Sequence, residues 1–416
     1  MSGQVYKPVV FPYYFQSRAA RAALCVALFS LAWAGGGVAA GLNGHAVVPT
    51  SQDEARLVAA LQAVRSNRLD EALNTVESLI KENPKFRLAQ LVYGDLLLAK
   101  AQPLARFGSI GAGPDERIQD LRAEARARIS HHLKHPGKDL VPSVLLELSS
   151  DQSRIVVADV ATSRLYLFDN RNGRPELVAD YYMTSGRGGA LKQREGDLKT
   201  PLGVYFVTDR LDPLVLPDLY GAGAFPVNYP NEWDQRLGRT GHGIWLHGVP
   251  SATYSRPPLA TEGCLAVPNQ DLQAMWDLLE KGRTPVIMAN GLEWISREQM
   301  RERRVSFRAA LERWRTDGES RDPQRYARNY SKGFRNGSRD YKAWVEHKRR
   351  LNAAKRYIRV GVEGLSVFDY PGEPDIRVVT FQQDYRSNTL NSRIRKRQYW
   401  QREADGQWRI LLEGRV

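Results

Sequence analysis

The stretch Ile244–Val267 reads IWLHGVPSATYSRPPLATEGCLAV and contains one histidine, His247, and one cysteine, Cys264. The other cysteine of the 416-residue chain, Cys25, lies in an apolar segment near the N-terminus, so Cys264 has no partner for an intramolecular disulfide. A lone thiol becomes a nucleophile when a nearby histidine accepts its proton. The pair therefore predicts acyl transfer by cysteine and histidine, and a buried inert cysteine beside a hydrogen-bonded histidine is the alternative.

The backbone around this pair has the composition that such chemistry needs. Gly263 lets a substrate approach the chain closely, and N–H groups around Gly263–Cys264 would form an oxyanion hole for a tetrahedral intermediate. His247 ends the short apolar run GIWLH, which predicts a strand, and a strand end would fix the position of the imidazole. A backbone carbonyl near Nδ1 would then turn Nε2 toward the sulfur.

Further motifs occur in a fixed order around the pair. MTSGRGG, EGDLKTPLGVYFV and GAGAFPVNYPNEWDQRLGRTGHGIWLHG precede the later TEGC. Together these residues resemble the signature of the L,D-transpeptidase (YkuD-type) catalytic domain over roughly Arg154–Ala289. Short β-branched and aromatic runs from RIVVADV to TPVIMANG agree with a mostly-β domain over residues 151–291, with one internal helix capped by Asn269.

The resemblance implies a role for each residue that matches the motif. Cys264 is expected to be the nucleophile, and His247 the proton donor and acceptor. The backbone of Gly248 is expected to orient the histidine, and the backbone of Gly263 to contribute to the oxyanion site. Thr261 corresponds to the Ser/Thr of the motif and is expected to shape the loop by hydrogen bonding.

Two positions depart from the family pattern. Many members have histidine where Glu262 stands, so this position is not an essential base here. Many have Arg or Asn two residues after the cysteine, where this chain has Ala266. Arg256 is therefore expected to contact a substrate carboxylate instead, by reaching in from the preceding loop.

The segment Leu211–Arg239 is long and contains glycines and several aromatic residues, which is typical of a lid or a loop beside a substrate groove. Tyr229 in this segment and Trp245 after it are candidates for the wall of such a groove. Packing of these two rings against the β core is an equally good alternative.

The resemblance implies peptidoglycan chemistry. The enzyme would attack the L,D bond between meso-diaminopimelate and the terminal D-Ala of a tetrapeptide stem, form a thioester, and pass the acyl group to an amine of another stem or of a protein. Transfer to water would make it an L,D-carboxypeptidase or amidase instead, and a catalytically silent cell-wall scaffold is the third hypothesis. Neither a metal nor an organic cofactor is expected.

An apolar run at residues 23–42 contains no charge and follows a basic flank within residues 1–22. About twenty apolar residues can span a bilayer, and a preceding basic flank stays on the cytoplasmic side. The run therefore predicts export to the periplasm, either with an uncleaved anchor in the inner membrane or after removal of a signal peptide. Export also removes the opportunity to bind nucleic acid.

Residues 51–135 place apolar side chains at helical spacing, for example Leu69, Leu73 and Val76. The segment resembles a tetratricopeptide-like helix pair, and a plain helical hairpin is the alternative. The next residues, 131–143, read HHLKHPGKDLVPS. Their three histidines would suit a metal ion, but no matching acidic or cysteine ligands follow them, which favours a solvated linker.

A connecting helix is predicted over residues 292–317. Residues 318–416 begin with two stretches that look helical, PQRYARNYSKGF (323–334) and DYKAWVEHKRRLNAA (340–354), and continue with long alternating runs. The pair Asp405-Gly406 between two such runs indicates a hairpin. This order of elements resembles the cone-shaped α+β fold of nuclear transport factor 2-like (SnoaL-like) domains. The sequence thus predicts an N-terminal α-helical segment, a central mostly-β domain and a C-terminal α+β domain.

Positive charge is concentrated at the C-terminal end of the chain. Residues 291–416 contain 29 Lys and Arg against 17 Asp and Glu, so they carry +12 of the formal net charge of +14. This excess predicts an acidic partner such as peptidoglycan carboxylates, or simply a solvated strand face. Other cell-wall enzymes are further candidate partners of the helical and C-terminal domains.

Overall fold

The computed structural model of the protein describes residues 51–102, 107–108, 115–137 and 139–416. The apolar run at residues 23–42 lies outside the described residues, so its predicted role as an anchor or signal stays a prediction. Within the described ranges, no helix is both long enough and apolar enough to cross a bilayer.

The described residues of the N-terminal part form four helices, α1 (Gln52–Arg65), α2 (Leu69–Glu82), α3 (Arg87–Ala101) and α4 (Asp115–Leu133). In α2, apolar residues three or four positions apart make one buried stripe, which consists of Ala72, Leu73, Val76 and Leu79. This stripe packs with α1 and α3 into a single apolar core. The predicted helical segment is confirmed, and its tetratricopeptide assignment stays a prediction.

The central part is mostly β-structure, as the sequence predicts. Its elements are β1 (Leu140–Pro142), β2 (Leu145–Glu147), β3 (Arg154–Asp159), β4 (Arg164–Arg171), β5 (Arg174–Tyr182), β6 (Ser185–Gly186), β7 (Gly203–Phe206), β8 (Ala224–Pro226), α5 (Glu232–Arg236), β9 (Trp245–His247), β10 (Leu259–Thr261), β11 (Leu265–Ala266), α6 (Asn269–Met275), β12 (Pro285–Ala289) and β13 (Trp294–Ser296). Five strands form a sheet in the order β5-β4-β3-β12-β7, and three form a second sheet in the order β11-β9-β8. Both sheets and α6 contribute to one core, in which Val156, Leu246 and Leu265 are fully buried.

The C-terminal part is an α+β domain, again as predicted. Its elements are α7 (Arg297–Glu319), α8 (Pro323–Ala327), β14 (Tyr330–Asn336), β15 (Arg339–Asp340), α9 (Tyr341–Ala353), β16 (Ile358–Tyr370), β17 (Glu373–Ser387), β18 (Asn391–Arg402) and β19 (Trp408–Arg415). The predicted hairpin at Asp405-Gly406 is present, because Glu403 N–H donates to the Gln407 carbonyl (3.0 Å). The helix predicted over PQRYARNYSKGF is wrong in its second half, since Tyr330 and Phe334 turn into the core as part of β14.

The central and C-terminal parts share structure. The large sheet has the order β15-β14-β19-β18-β17-β16-β2, so β2, from the beginning of the central part, completes the C-terminal sheet. A single apolar cluster contains Phe206 and Trp233 from the central part together with Phe368 and Tyr399 from the C-terminal part. The two domains therefore bury apolar surface against each other and not only within themselves.

The prediction of a solvated linker at residues 131–143 holds in the middle of the segment, where residues 132–135 are exposed, and is wrong at its two ends. His131 is buried in the last turn of α4, and Val141 is buried in β1. His131 is buried because it packs against β5, where the Asp180 carboxylate lies 3.1 Å from its imidazole.

Asn269 does not cap α6, which corrects a second local prediction. Pro268 occupies the position before the helix, and no side chain caps it there. The Asn269 amide instead bonds to a neighbouring loop: its Oδ1 accepts from the N–H of Val249 (3.0 Å), and its Nδ2 donates to the Val249 carbonyl (2.8 Å).

Candidate active site

Two short parallel strands bring the cysteine and the histidine to one surface. β11 pairs with β9 so that Leu265 lies opposite Leu246 and Ala266 opposite His247. Leu246 and Leu265 both point into the core. Because side chains alternate along a strand, Cys264 and His247 point together to the other face.

His247 is held as a neutral base. It is buried, and its Nδ1 lies 2.6 Å from the Gly248 carbonyl, which can only accept a hydrogen bond. Nδ1 therefore carries the proton and Nε2 has a free lone pair. Burial lowers the pKa of His247 to about 4, and the Gly248 hydrogen bond opposes this shift only in part. The ring also packs edge-on against Tyr220, with 5.1 Å between the ring centroids.

The Cys264 thiol is protonated at rest. Burial raises its pKa, while the backbone N–H of Trp245 and the positive charges of Lys192 and Arg256 lower it. Its Sγ lies 3.2 Å from the Gly243 carbonyl, to which the thiol proton is donated. In the resting geometry the thiol donates to the Gly243 carbonyl and the imidazole Nδ1 to the Gly248 carbonyl, and burial disfavours the charged form of both groups.

The loop before the cysteine is fixed by the threonine of the motif. Thr261 Oγ1 donates to the carbonyl of Cys264 (2.7 Å) and accepts from the N–H of Gly263 (3.1 Å). Gly263 has φ +128°, and a Cβ there would lie 2.7 Å from the Lys199 carbonyl oxygen, so only glycine fits. The Gly263 N–H already donates to Thr261 Oγ1, so in this structure it stabilises the loop and does not point to an incoming oxyanion.

Gly248 is equally restricted. A Cβ on this residue would lie 2.1 Å from Asn269 Oδ1 and 2.8 Å from the backbone nitrogen of Ala222. Asn269 is a site residue that the sequence did not reveal, because it acts on a loop twenty residues away, through the N–H groups of Val249 and Ala222 (3.0 and 2.9 Å). It thereby fixes the segment that carries the Gly248 carbonyl.

The other predicted site residues lie in different places. Trp245 is partly buried on the same strand as His247, and its ring centroid lies 4.7 Å from that of Tyr220. Arg256 is close enough to Cys264 and His247 for its charge to act on both, and its guanidinium donates to the carbonyl of Ala260.

Tyr229, by contrast, is buried in the core. Its hydroxyl donates to the Thr240 carbonyl (3.0 Å), and its ring meets that of Tyr205 edge-on. The structure thus brings Trp245 and Arg256 to the cysteine and histidine, and it does not bring Tyr229 there. Tyr220 is a second neighbour that the sequence missed; its one signal is the adjacent Gly221, which has φ +56° and lets the chain turn at this point.

The helical bundle holds the loop that carries Arg256. Lys85 Nζ donates to the carbonyl of Ser251 (2.7 Å), and the Tyr254 ring stacks on Phe86 with centroids 4.0 Å apart. On the far side of the loop, the Tyr182 hydroxyl donates to the carbonyl of Arg256 itself (2.8 Å). The position of the arginine therefore depends on the bundle as well as on the β core.

Comparisons with known proteins agree with this architecture. Residues 153–288 match the model of the L,D-transpeptidase catalytic domain, and residues 306–414 match that of the Cds6 C-terminal NTF2-like domain. No curated protein matches the chain significantly.

Two solved structures have the same overall fold. Bd1075 of Bdellovibrio bacteriovorus is 28% identical with a TM-score of 0.60, over 67% of this chain and 98% of that one. The helical cell shape determining protein Pgp2 from Campylobacter jejuni is 24% identical with a TM-score of 0.56, over 66% and 95% of the two chains. The second likeness is evidence for the fold alone.

Proposed function

We propose that the protein is a cysteine acyltransferase acting on peptidoglycan stem peptides, because residues 153–288 match the L,D-transpeptidase catalytic domain and residues 306–414 match an NTF2-like domain. The observation that carries the proposal is the placement of Cys264 and His247 on one face of two paired strands. The Gly248 carbonyl adds the orientation that a general base requires.

In the first half of the proposed reaction, His247 Nε2 takes the proton of the Cys264 thiol as Sγ attacks the carbonyl carbon of meso-diaminopimelate. The bond from that carbon to the nitrogen of D-Ala then breaks, and the imidazolium returns its proton to the leaving amine. D-Ala departs and a thioester to Cys264 remains. The neutral resting state suits this sequence, because the imidazole is free to accept a proton.

In the second half, an amine from a neighbouring stem or a protein attacks the thioester carbon. His247 accepts the proton of this amine, the carbon–sulfur bond breaks, and the thiol is regenerated. Water in place of the amine gives L,D-carboxypeptidase or amidase products from the same acyl-enzyme. Both outcomes use the same side chains, so the nature of the acceptor decides between them.

Arg256 supplies the charge for substrate recognition in this proposal. Its guanidinium is half-buried beside the nucleophile, and the bundle and β5 hold its backbone from two sides. A fixed guanidinium is well suited to bind a carboxylate such as those of a stem peptide. This role fits the alanine that stands at position 266, where the family often has a polar residue.

The proposed location of the enzyme is the periplasm, with residues 23–42 acting either as an inner-membrane anchor or as a cleaved signal. Peptidoglycan lies outside the inner membrane, so export is required for the chemistry. We further propose a role in cell shape, supported by the fold shared with a protein named as a determinant of helical cell shape. Other cell-wall enzymes are proposed partners of the helical and C-terminal domains.

The first prediction tests the chemistry. Purified protein incubated with tetrapeptide muropeptides is expected to yield cross-linked dimers, which chromatography and mass spectrometry distinguish from tripeptides. Cys264→Ala is expected to lose all products, because no other thiol lies among the described residues. A carbapenem is likewise expected to add covalently to the wild type and not to this variant.

The possible results separate the hypotheses. Tripeptides with free D-Ala and no dimers would replace transfer by hydrolysis while keeping the nucleophile. Products that persist in Cys264→Ala would reject the assignment of the nucleophile. A silent scaffold predicts no product from either protein, together with full complementation of a deletion strain by Cys264→Ala.

A further inference from the structure

A second group of convergent side chains lies where the helical bundle meets the central sheet. His131, in the last turn of α4, and His135, two residues past its end, both direct Nε2 at Oδ2 of Asp180 in β5, at 3.1 and 3.0 Å. The three potential ligand atoms all lie within 4.8 Å of one another. Ligand atoms about 3.3 Å apart are what a tetrahedral ion with bonds of about 2.0–2.1 Å produces.

The hydrogen bonds of His135 show that its Nε2 faces the carboxylate with room for one positive species between them. Its Nδ1 lies 2.8 Å from the Pro136 carbonyl, which can only accept, so Nδ1 carries a proton. In the neutral ring the Nε2 lone pair then faces a carboxylate oxygen at 3.0 Å. Two lone pairs at this distance repel each other, so either a second proton on the ring or a metal ion must lie between them.

The buried ion pairs around Asp180 also lack one positive charge. Three buried carboxylates, Glu54, Glu124 and Asp180, meet two buried guanidinium groups, Arg128 and Arg164, which leaves one formal negative charge. Arg164 pairs with Oδ1 of Asp180, and Oδ2 is the oxygen that the histidines face. An unbalanced buried negative charge is costly, and positive charge at Oδ2, from a proton on a histidine or from a metal ion, would offset it.

We propose that His131 Nε2, His135 Nε2 and Asp180 Oδ2 bind a divalent first-row transition metal ion of the Zn²⁺ class, which joins α4 to β5. Two imidazoles and one carboxylate are a common donor set for zinc. The His135 side chain is 33% exposed, so solvent can supply a fourth ligand. The Pro136 carbonyl orients His135 in the way that outer-shell groups orient zinc-binding histidines.

The experiment measures zinc binding by the full-length chain, purified without a histidine tag and treated with a chelator. Calorimetric titration with ZnCl₂ is expected to give about one ion per chain, with a matching zinc content by elemental analysis and a higher unfolding temperature. His135→Ala removes a ligand at a partly exposed position, so the fold is retained. The zinc affinity of this variant is expected to fall at least about tenfold, because even the loss of a group that only hydrogen-bonds to a metal ligand lowers metal affinity by about that much.

Two control variants make the result specific. His132→Ala removes the adjacent histidine, which contacts Gln62 instead, and is expected to bind zinc as the wild type does. Cys264→Ala is expected to do the same, because the active-site thiol is not a ligand of the proposed site.

The proposal is overturned when the wild type takes up no zinc, when His135→Ala binds as tightly as the wild type, or when either control loses the ion. In the first case a proton on His135 balances the network instead. The outcome is independent of the proposed acyl transfer, since it is read from binding and thermal unfolding.

Discussion

His247 carries its proton on Nδ1 because the neighbouring carbonyl of Gly248 can only accept a hydrogen bond. The base that acts on the thiol is therefore Nε2 of a neutral ring, and a thiolate forms only when the proton moves. Burial sets this balance at both residues, since it lowers the pKa of His247 and raises that of Cys264. Single residues thus decide at which pH the site can react.

A pH profile tests this arrangement. His247 accepts the thiol proton only when neutral, and burial lowers its pKa to about 4 from the ordinary histidine value of 6.5. The acid limb of kcat/KM for acyl-enzyme formation is therefore expected with a midpoint near pH 4, measured with circular dichroism at each pH to show that the fold persists. A midpoint near 6.5 in folded protein would contradict a buried neutral base.

Gly248→Ala is expected to disable the site. The new Cβ would lie 2.1 Å from Asn269 Oδ1, so the segment that holds the histidine must shift. A displacement of about 1 Å at a catalytic group costs on the order of 100-fold in rate, and such a loss in kcat/KM is expected. Gly414→Ala is the matched control, because open space surrounds its Cβ. Equal activity of the two variants would show that Gly248 does not need to be glycine.

At the residue scale, the sequence predicts what lies within a local motif. Cys264, His247 and Thr261 can be recognised because their roles depend on neighbours a few positions away. Asn269 and Tyr220 could not be predicted, because their contacts with the histidine segment arise only when distant loops fold back. The wrong cap at Asn269 has the same origin, since its side chain is used by a loop instead of by its own helix.

At the element scale, the loop at residues 250–258 links the bundle to the site. Tyr254 is its main contact, because its ring stacks on Phe86 and its hydroxyl donates to Asp53 (3.2 Å). Arg256 follows two residues later. The bundle therefore contributes to the position of a substrate-binding charge, although none of its side chains is among the motif residues.

Tyr254→Ala is expected to weaken substrate binding more than chemistry. Losing a buried aromatic ring costs about 3–5 kcal/mol of stability and frees the loop that carries Arg256. KM is expected to rise about tenfold with little change in kcat, since the lost interaction binds the substrate and the transition state equally. Tyr357→Ala, at a side chain 47% exposed, is the control and should leave both constants unchanged. A selective fall in kcat would instead connect Tyr254 to the chemical step.

Elements with local patterns were predictable and elements with distant partners were not. The alternating runs of β16–β19 and the Asp405-Gly406 turn specify their own hairpins. β2 has no local sign that it joins the C-terminal sheet, because its partner β16 lies more than 200 residues further along the chain. β14 looks helical in sequence, and only pairing with β19 makes it a strand.

At the scale of the whole molecule, the central and C-terminal domains share one apolar cluster. Trp233 lies between them, with its ring 6.2 Å from that of Tyr399 and 6.3 Å from that of Tyr370. Beside it, the Glu232 carboxylate accepts hydrogen bonds from Arg397 (3.0 Å) and from the Tyr399 hydroxyl (2.7 Å). This interface is apolar at its centre and ionic at its edge, as in tightly associated domains.

Trp233→Ala is expected to destabilise both domains together. Removal of a buried tryptophan costs about 3–5 kcal/mol, and the two domains share the cluster that loses it. Differential scanning calorimetry is expected to show one transition for both domains, shifted to lower temperature. Leu214→Ala, at a side chain 92% exposed, should not shift it. Two transitions, of which only one moves, would mean that the domains unfold separately.

The position of β2 in the large sheet also sets the order in which parts of the chain can fold during synthesis. Glu147 leaves the ribosome early, yet its partner Val367 follows only after the whole catalytic domain. The β16 edge of that sheet stays unpaired until β2 binds to it. This pairing closes a long loop of the chain and is therefore a slow folding step. A nascent chain interrupted before β16 would contain the complete nucleophile motif but not the strand against which β2 must settle.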